Sequence, residues 1–74
     1  MADLDPMWLR SFVAIAQAGS VTRAAQQVHR TQSAVSTHLQ QLEAAVGVRL
    51  AHRSTRALAL TDEGERFLAH ARKL

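Results

Sequence analysis

Residues 30–43 read RTQSAVSTHLQQLE, and their pattern decides how the rest of the chain is arranged. Val35, Leu39, Leu42 and then Val46 fall at i, i+4, i+7 and i+11, a narrow sector of the helical wheel, which predicts an amphipathic helix over 32–46. Thr31 is placed to cap its start and Gly47 to stop it. Opposite the apolar sector the wheel turns Ser33, Thr37 and Gln40 outward, with Ser36 on a flank and Gln32 at the tip. A face that meets only water is usually filled with Lys and Glu, which are better helix formers than Ser and Thr. This face is built of short donors and acceptors instead, and Gln pairs bidentately with adenine in the major groove.

Upstream, Asp5 before Pro6 reads as an N-cap followed by proline at the first helical position, where no N–H is needed. Trp8, Phe12, Val13 and Ala16 repeat at helical spacing behind it. Gly19 ends that first helix and Ser20 caps a short second one, Val21 to Val28, in which Ala24 and Ala25 permit close approach. Downstream, Val48 with Leu50 and Leu58 with Leu60 alternate at period two around Ser54, Thr55 and Arg56. That pattern fits a short β-hairpin, with an irregular loop as the competing reading because each arm is so short. Thr61, followed by Asp62 and Glu63, begins a last helix whose stripe is Phe67, Leu68, Ala71 and Leu74. No capping signal follows Lys73 and Leu74, and the expectation is that this helix continues into a longer protein.

Composition narrows the class of partner. The chain has 74 residues, room for one domain with a small core that gains stability from a partner. It carries 47% apolar and 20% charged residues, which predicts a folded domain rather than a disordered one. Two Phe, one Trp and no Tyr leave Ala, Leu and Val to fill the core, which suits closely packed helices and not a β-sandwich. The absence of cysteine excludes disulfides, thiolate chemistry and cysteine zinc sites. No secretory leader or membrane-length apolar run is present, so a cytoplasmic protein is expected, with no membrane partner. The net charge of +3 comes from eight Arg against a single Lys, and Arg suits phosphate and guanine edges better than a membrane surface.

Helix, helix, helix, hairpin, helix is the layout of a winged helix-turn-helix. In such a domain the second helix of the pair lies in the major groove and the first braces it. Residues 21–28, the connection at His29 to Thr31, and residues 32–46 fit that pair. Arg30 precedes the reading helix, Arg49 follows it, and Arg53 and Arg56 lie at the proposed wing, placed for phosphate or minor-groove contact. Each of these arginines alone is an ordinary surface charge. Their clustering around one helix makes a footprint.

The run GSVTRAAQQVHRTQSAVSTHLQQLEAAVGVRL, followed by HRSTRALALTDEGERFL, resembles the N-terminal winged helix-turn-helix of the LysR-type transcriptional regulators. The match runs from about Leu9 to Leu68 and includes the Ala-Ala pair, the Thr-Gln helix start, Leu-Glu in the third helix, Gly-Val-Arg-Leu and Leu-Thr-Asp-Glu-Gly. The resemblance implies a mainly α fold with residues 1–60 as the DNA-binding domain and 61–74 as the start of a linker and dimerisation helix. It implies a bacterial, nucleoid-associated regulator, dimeric or tetrameric, that binds interrupted inverted repeats of double-stranded DNA in promoters. Such regulators take a small-molecule effector through a C-terminal domain that this chain does not contain, and no cofactor or metal is expected here. DNA contacts would come from Arg30, Thr31, Gln32, Ser33, Ser36, Thr37, Gln40, Arg53 and Arg56, and dimer contacts from Phe67, Leu68, Ala71 and Leu74. Three positions depart from the family pattern: Ser33 where many members have proline, Thr37 where many have arginine, and Ala51 where phenylalanine is usual. The first two alter the reading face. The third predicts a looser wing, or a gap filled by Trp8 or Phe67.

Enzyme activity is not expected. The only carboxylate cluster, Asp62, Glu63 and Glu65, sits at a helix start where capping accounts for it, and His29, His38, His52 and His70 lack ligand spacing. A helical protein-interaction module is the nearer rival, since it too would use amphipathic helices and a dimer face. Salt separates the two: DNA binding weakens steeply with ionic strength, and an apolar protein interface does not.

Overall fold

The computed structural model of the chain describes residues 4–53 and 58–73. Helix α1 spans Pro6–Ala18, α2 Val21–Val28 and α3 Gln32–Val46; strands β1 (Ala51–Arg53) and β2 (Leu58–Leu60) follow, then α4 (Asp62–Ala71). The strands pair antiparallel, with Ala51 opposite Leu60, His52 opposite Ala59 and Arg53 opposite Leu58. This is the expected winged helix-turn-helix order.

Each helix begins where a short polar side chain accepts from an amide that would otherwise have no partner. Asp5 Oδ1 accepts from the Met7 amide at 2.8 Å, Ser20 Oγ from Arg23 at 3.3 Å, Thr31 Oγ1 from Ala34 at 3.0 Å and Thr61 Oγ1 from Gly64 at 2.9 Å. Gly19 and Gly47 end α1 and α3 in the left-handed conformation, φ 68° and 79°. Helix α2 ends the same way without glycine. His29 adopts φ 58° and ψ 45°, the single non-glycine residue with positive φ among the described residues. The amides of His29 and Arg30 then bond to the carbonyls of Gln26 (3.3 Å) and Ala25 (2.9 Å), which turns the chain sharply into α3.

The core lies where α1 packs across α2 and α3 and the hairpin and α4 close one end. Phe12, Ile15, Val35, Leu39, Leu42 and Leu50 are fully buried, each stabilising the fold by about 1.5–3 kcal/mol through loss of apolar surface. Ala24 and Ala25, also buried, let α2 sit close to its neighbours. Phe67 of α4 meets Phe12 edge to face, ring centroids 5.6 Å apart and planes at 66°, a favoured aromatic geometry.

The stripe of α1 faces the core: Phe12 is fully buried, Trp8, Val13 and Ala16 are half-buried and pack against the core, and Ser11, Ala14 and Ile15 are buried beside them. A serine at the centre of that face hides its amphipathic pattern, and the serine is tolerated because its Oγ lies 2.7 Å from Nδ1 of His38 on α3. The alternation of Val48 and Leu50 is not a strand arm. Both precede β1; Val48 is exposed and Leu50 is buried under the hairpin. The proposed turn residues Ser54, Thr55 and Arg56 lie outside the described residues, as does Leu74. Ala51, small where a phenylalanine was the family expectation, is nonetheless buried, and the Phe67 ring is committed to Phe12. Among the described residues no helix is long and apolar enough to cross a membrane.

Candidate nucleic-acid interface

Helix α3 carries its chemistry on the side turned away from Val35, Leu39 and Leu42. With those three buried, helical geometry leaves Gln32, Ser33, Thr37, Gln40 and Gln41 exposed, and Ser36 and His38 half-buried on the flanks. The residues expected to read DNA are therefore brought together on one accessible surface that includes the first turn of the helix. Thr31 is exposed as well, but its hydroxyl accepts from the Ala34 amide, so capping is the role the structure gives it. Its hydroxyl hydrogen remains available to an acceptor outside the helix.

Arg30 is exposed immediately ahead of α3, placed there by the left-handed turn at His29. Arg49 is exposed beyond the C-terminal end of the same helix, and its carbonyl accepts from Thr61 Oγ1 at 2.7 Å. The backbone of Arg53 closes β1 opposite Leu58. The Arg53 side chain and all of Arg56 lie outside what is described. Arginine thus flanks a neutral face from both ends of the helix, a distribution chemically suited to phosphate at the flanks and to hydrogen-bonding groups between them.

The expected dimer residues divide differently. Leu68 and Ala71, 8% and 7% exposed, are turned into this domain's own core. Phe67 is half-buried against it. Burial within the monomer accounts for Leu68 and Ala71, Phe67 keeps an accessible edge, and the exposed positions of α4 are Asp62, Glu63, Glu65, Arg66, Ala69 and His70.

Glu43 is a feature that the apolar-stripe reading of α3 passes over. It is the only charged side chain in the helix. Its Oε2 accepts from the amides of Leu50 (2.8 Å) and Ala51 (3.2 Å), so α3 holds the root of the hairpin by charge-assisted bonds. The signal available in the sequence was its isolation, a lone acid on a helix otherwise free of charge. The pairing of Ser11 with His38 had no such signal, because it joins residues of two helices that only the fold brings together.

Comparison with known proteins agrees with this geometry. Residues 7–65 match the family model described as bacterial regulatory helix-turn-helix protein, lysR family. The chain is 44% identical over 73 residues to the HTH-type transcriptional activator AllS of Klebsiella pneumoniae, covering 99% of this chain and 27% of that protein. It is 49% identical over 63 residues to the Hca operon transcriptional activator HcaR of Escherichia coli K12, covering 85% of this chain and 21% of that protein. The chain thus spans about a quarter of the length of these curated relatives, which are transcriptional regulators and not enzymes. Among solved structures it resembles the CbnR_DBD–DNA complex with a TM-score of 0.91 at 39% identity, covering 93% of this chain and 79% of that one. It also resembles the BenM_DBD/catB site 1 DNA complex, with a TM-score of 0.89 at 35% identity over 93% of this chain and 78% of that one. The chain is a winged helix-turn-helix DNA-binding domain and belongs to the lysR family of bacterial regulatory helix-turn-helix proteins.

Proposed function

We propose that this domain is the sequence-reading head of a bacterial transcriptional regulator. Helix α3 enters the major groove, Gln32, Ser33, Ser36, Thr37 and Gln40 address base edges, and Arg30, Arg53 and Arg56 hold phosphate or the minor groove. The observation that carries this reading is the uncharged, hydrogen-bonding surface of α3, exposed opposite a fully buried Val35–Leu39–Leu42 stripe and flanked by arginine. Domains similar to this one have been solved in complex with DNA, which supports DNA as the partner. In the cell the regulator acts in the cytoplasm on the nucleoid, at interrupted inverted repeats in promoters. Two copies, or two pairs of copies, present reading heads to successive half-sites, and any effector acts through regions that this chain does not include. Because Leu68 and Ala71 serve the domain's own core, a dimer contact here falls on the accessible edge of Phe67 and on Leu74.

The test is a salt titration of binding to duplexes selected from genomic fragments. Affinity should fall with a log–log slope of about 0.9 for each phosphate neutralised, and Arg53→Ala should reduce the slope by about one while weakening all duplexes alike. Gln32→Ala or Ser33→Ala should instead change the ranking of sequences. Binding that ignores salt, or a ranking untouched by both α3 substitutions, would exclude this reading.

A further inference from the structure

We infer that Glu43 is a positioning residue for DNA binding: its carboxylate sets the wing at a fixed angle to the reading helix, and the wing's contacts with DNA depend on it. The inference rests on the reading of α3 and the wing as the two parts that touch DNA.

A carboxylate on a helix that docks against a polyanion repels it, so a lone acid in α3 is unfavourable for binding unless it does something else. Glu43 is half-buried, and one of its oxygens accepts from two successive amides, Leu50 at 2.8 Å and Ala51 at 3.2 Å. Leu50 is the residue before β1 and Ala51 its first residue, so the carboxylate holds the point where the wing departs. Val48 and Arg49, between the Gly47 cap and that point, are exposed. The carbonyl side of the same segment is held by α4: Thr61 N–H donates to the Leu50 carbonyl at 3.0 Å, and Thr61 Oγ1 to the Arg49 carbonyl at 2.7 Å. Gly64 also lies against it, since a Cβ there would sit 2.0 Å from the Leu50 oxygen. Among the described residues the wing root is therefore clamped between two helices, with Glu43 as the side-chain hold that ties it to α3. Release of that hold leaves the wing root positioned by its Thr61 bonds to α4 and by the packing of buried Leu50 in the core.

The experiment measures affinity of the chain for a mixed-sequence duplex and for a selected one, with circular dichroism run in parallel. The variants are Glu43→Gln and Glu43→Ala, each alone and combined with Arg53→Ala and Arg56→Ala. Repulsion alone predicts that removing the acid tightens binding. Positioning predicts the opposite: Glu43→Ala loses roughly tenfold in affinity, the size of one lost charge-assisted contact, and Glu43→Gln, whose amide oxygen still accepts from both amides, loses only about two- to threefold. In the background lacking both wing arginines these losses should vanish, a non-additivity that a general loss of stability would not produce. Glu43→Gln, nearly isosteric, keeps the test valid if Glu43→Ala fails to fold. Tighter binding by Glu43→Gln, or equal losses in both backgrounds, overturns the inference. If the wing-arginine variant itself binds normally with an unchanged salt slope, the wing does not touch DNA, and the underlying reading falls separately from the role of Glu43.

Discussion

Substituting Gly64 by alanine should reverse the usual effect of that change. Position 64 lies inside the first turn of α4, and at an ordinary helical site alanine is favoured over glycine by about 1 kcal/mol. Here the added Cβ would stand 2.0 Å from the Leu50 carbonyl oxygen, 2.9 Å from its carbon and 3.3 Å from its Cα. Carbon–oxygen contacts settle at roughly 3.3–3.6 Å, so backbone must move by more than about 1 Å, and none of the three atoms belongs to a flexible side chain. The movement opens the 3.0 Å bond from Thr61 N–H to that carbonyl, a net loss of about 1 kcal/mol. Overpacking adds about 1–3 kcal/mol, and the gain in helix propensity offsets about 1 kcal/mol. The net destabilisation is then roughly 1–3 kcal/mol, a fall in Tm of about 4–24 °C for a domain of this size. Thermal unfolding followed by far-UV circular dichroism measures it. Ala69→Gly serves as the control: at an exposed position of the same helix it should follow propensity and cost about 1 kcal/mol. A Gly64→Ala protein as stable as the parent, or more stable, would refute the close seating of α4 on the wing root.

Three further outcomes are expected. His29→Gly should raise stability by about 0.5–1 kcal/mol, because it relieves the strain of a Cβ at φ 58° although glycine adds disorder to the unfolded chain; a fall in denaturation midpoint would contradict it. Thr61→Ala removes both the cap to Gly64 and the bond to the Arg49 carbonyl and should cost about 1–3 kcal/mol, while Thr61→Ser, which keeps the hydroxyl, should recover most of that in urea melts. Phe12→Ala empties a fully buried site and removes the partner of Phe67, so a loss of about 3–5 kcal/mol is expected, visible as a steep drop in urea midpoint or as failure to accumulate folded protein.

Helix ends were legible because the determining interactions are local. Asp5, Ser20, Thr31 and Thr61 each reach an amide two or three residues ahead, and Gly19 and Gly47 meet a backbone requirement set within one turn. The exposed face of α3 was legible for a similar reason: once Val35, Leu39 and Leu42 define the inside, helical geometry fixes the outside. What escaped depends on contacts between elements. Ser11 is buried on α1 because His38 of α3 lies 2.7 Å away, a contact that the pattern of α1 alone does not signal. The first hairpin arm shifted from Val48 and Leu50 to Ala51–Arg53 because alternation over three residues is too short to fix a register, and the strand AHR contains no strong strand former. Leu68 and Ala71 carry the same apolar signature whether they meet this domain's core or a second copy, and only the packing separates those cases.

The absence of formal charge from the exposed side of α3 has a consequence for how the domain distinguishes one sequence from another. Counterions are released when arginine meets phosphate, and that release occurs on any duplex. On the proposed docking, hydrogen bonds from Gln32, Ser33, Thr37 and Gln40 to base edges would release none. Rising ionic strength should therefore lower occupancy of right and wrong sites in parallel and leave their ratio nearly constant. Overall grip would vary with the ionic state of the cell, while selectivity would not.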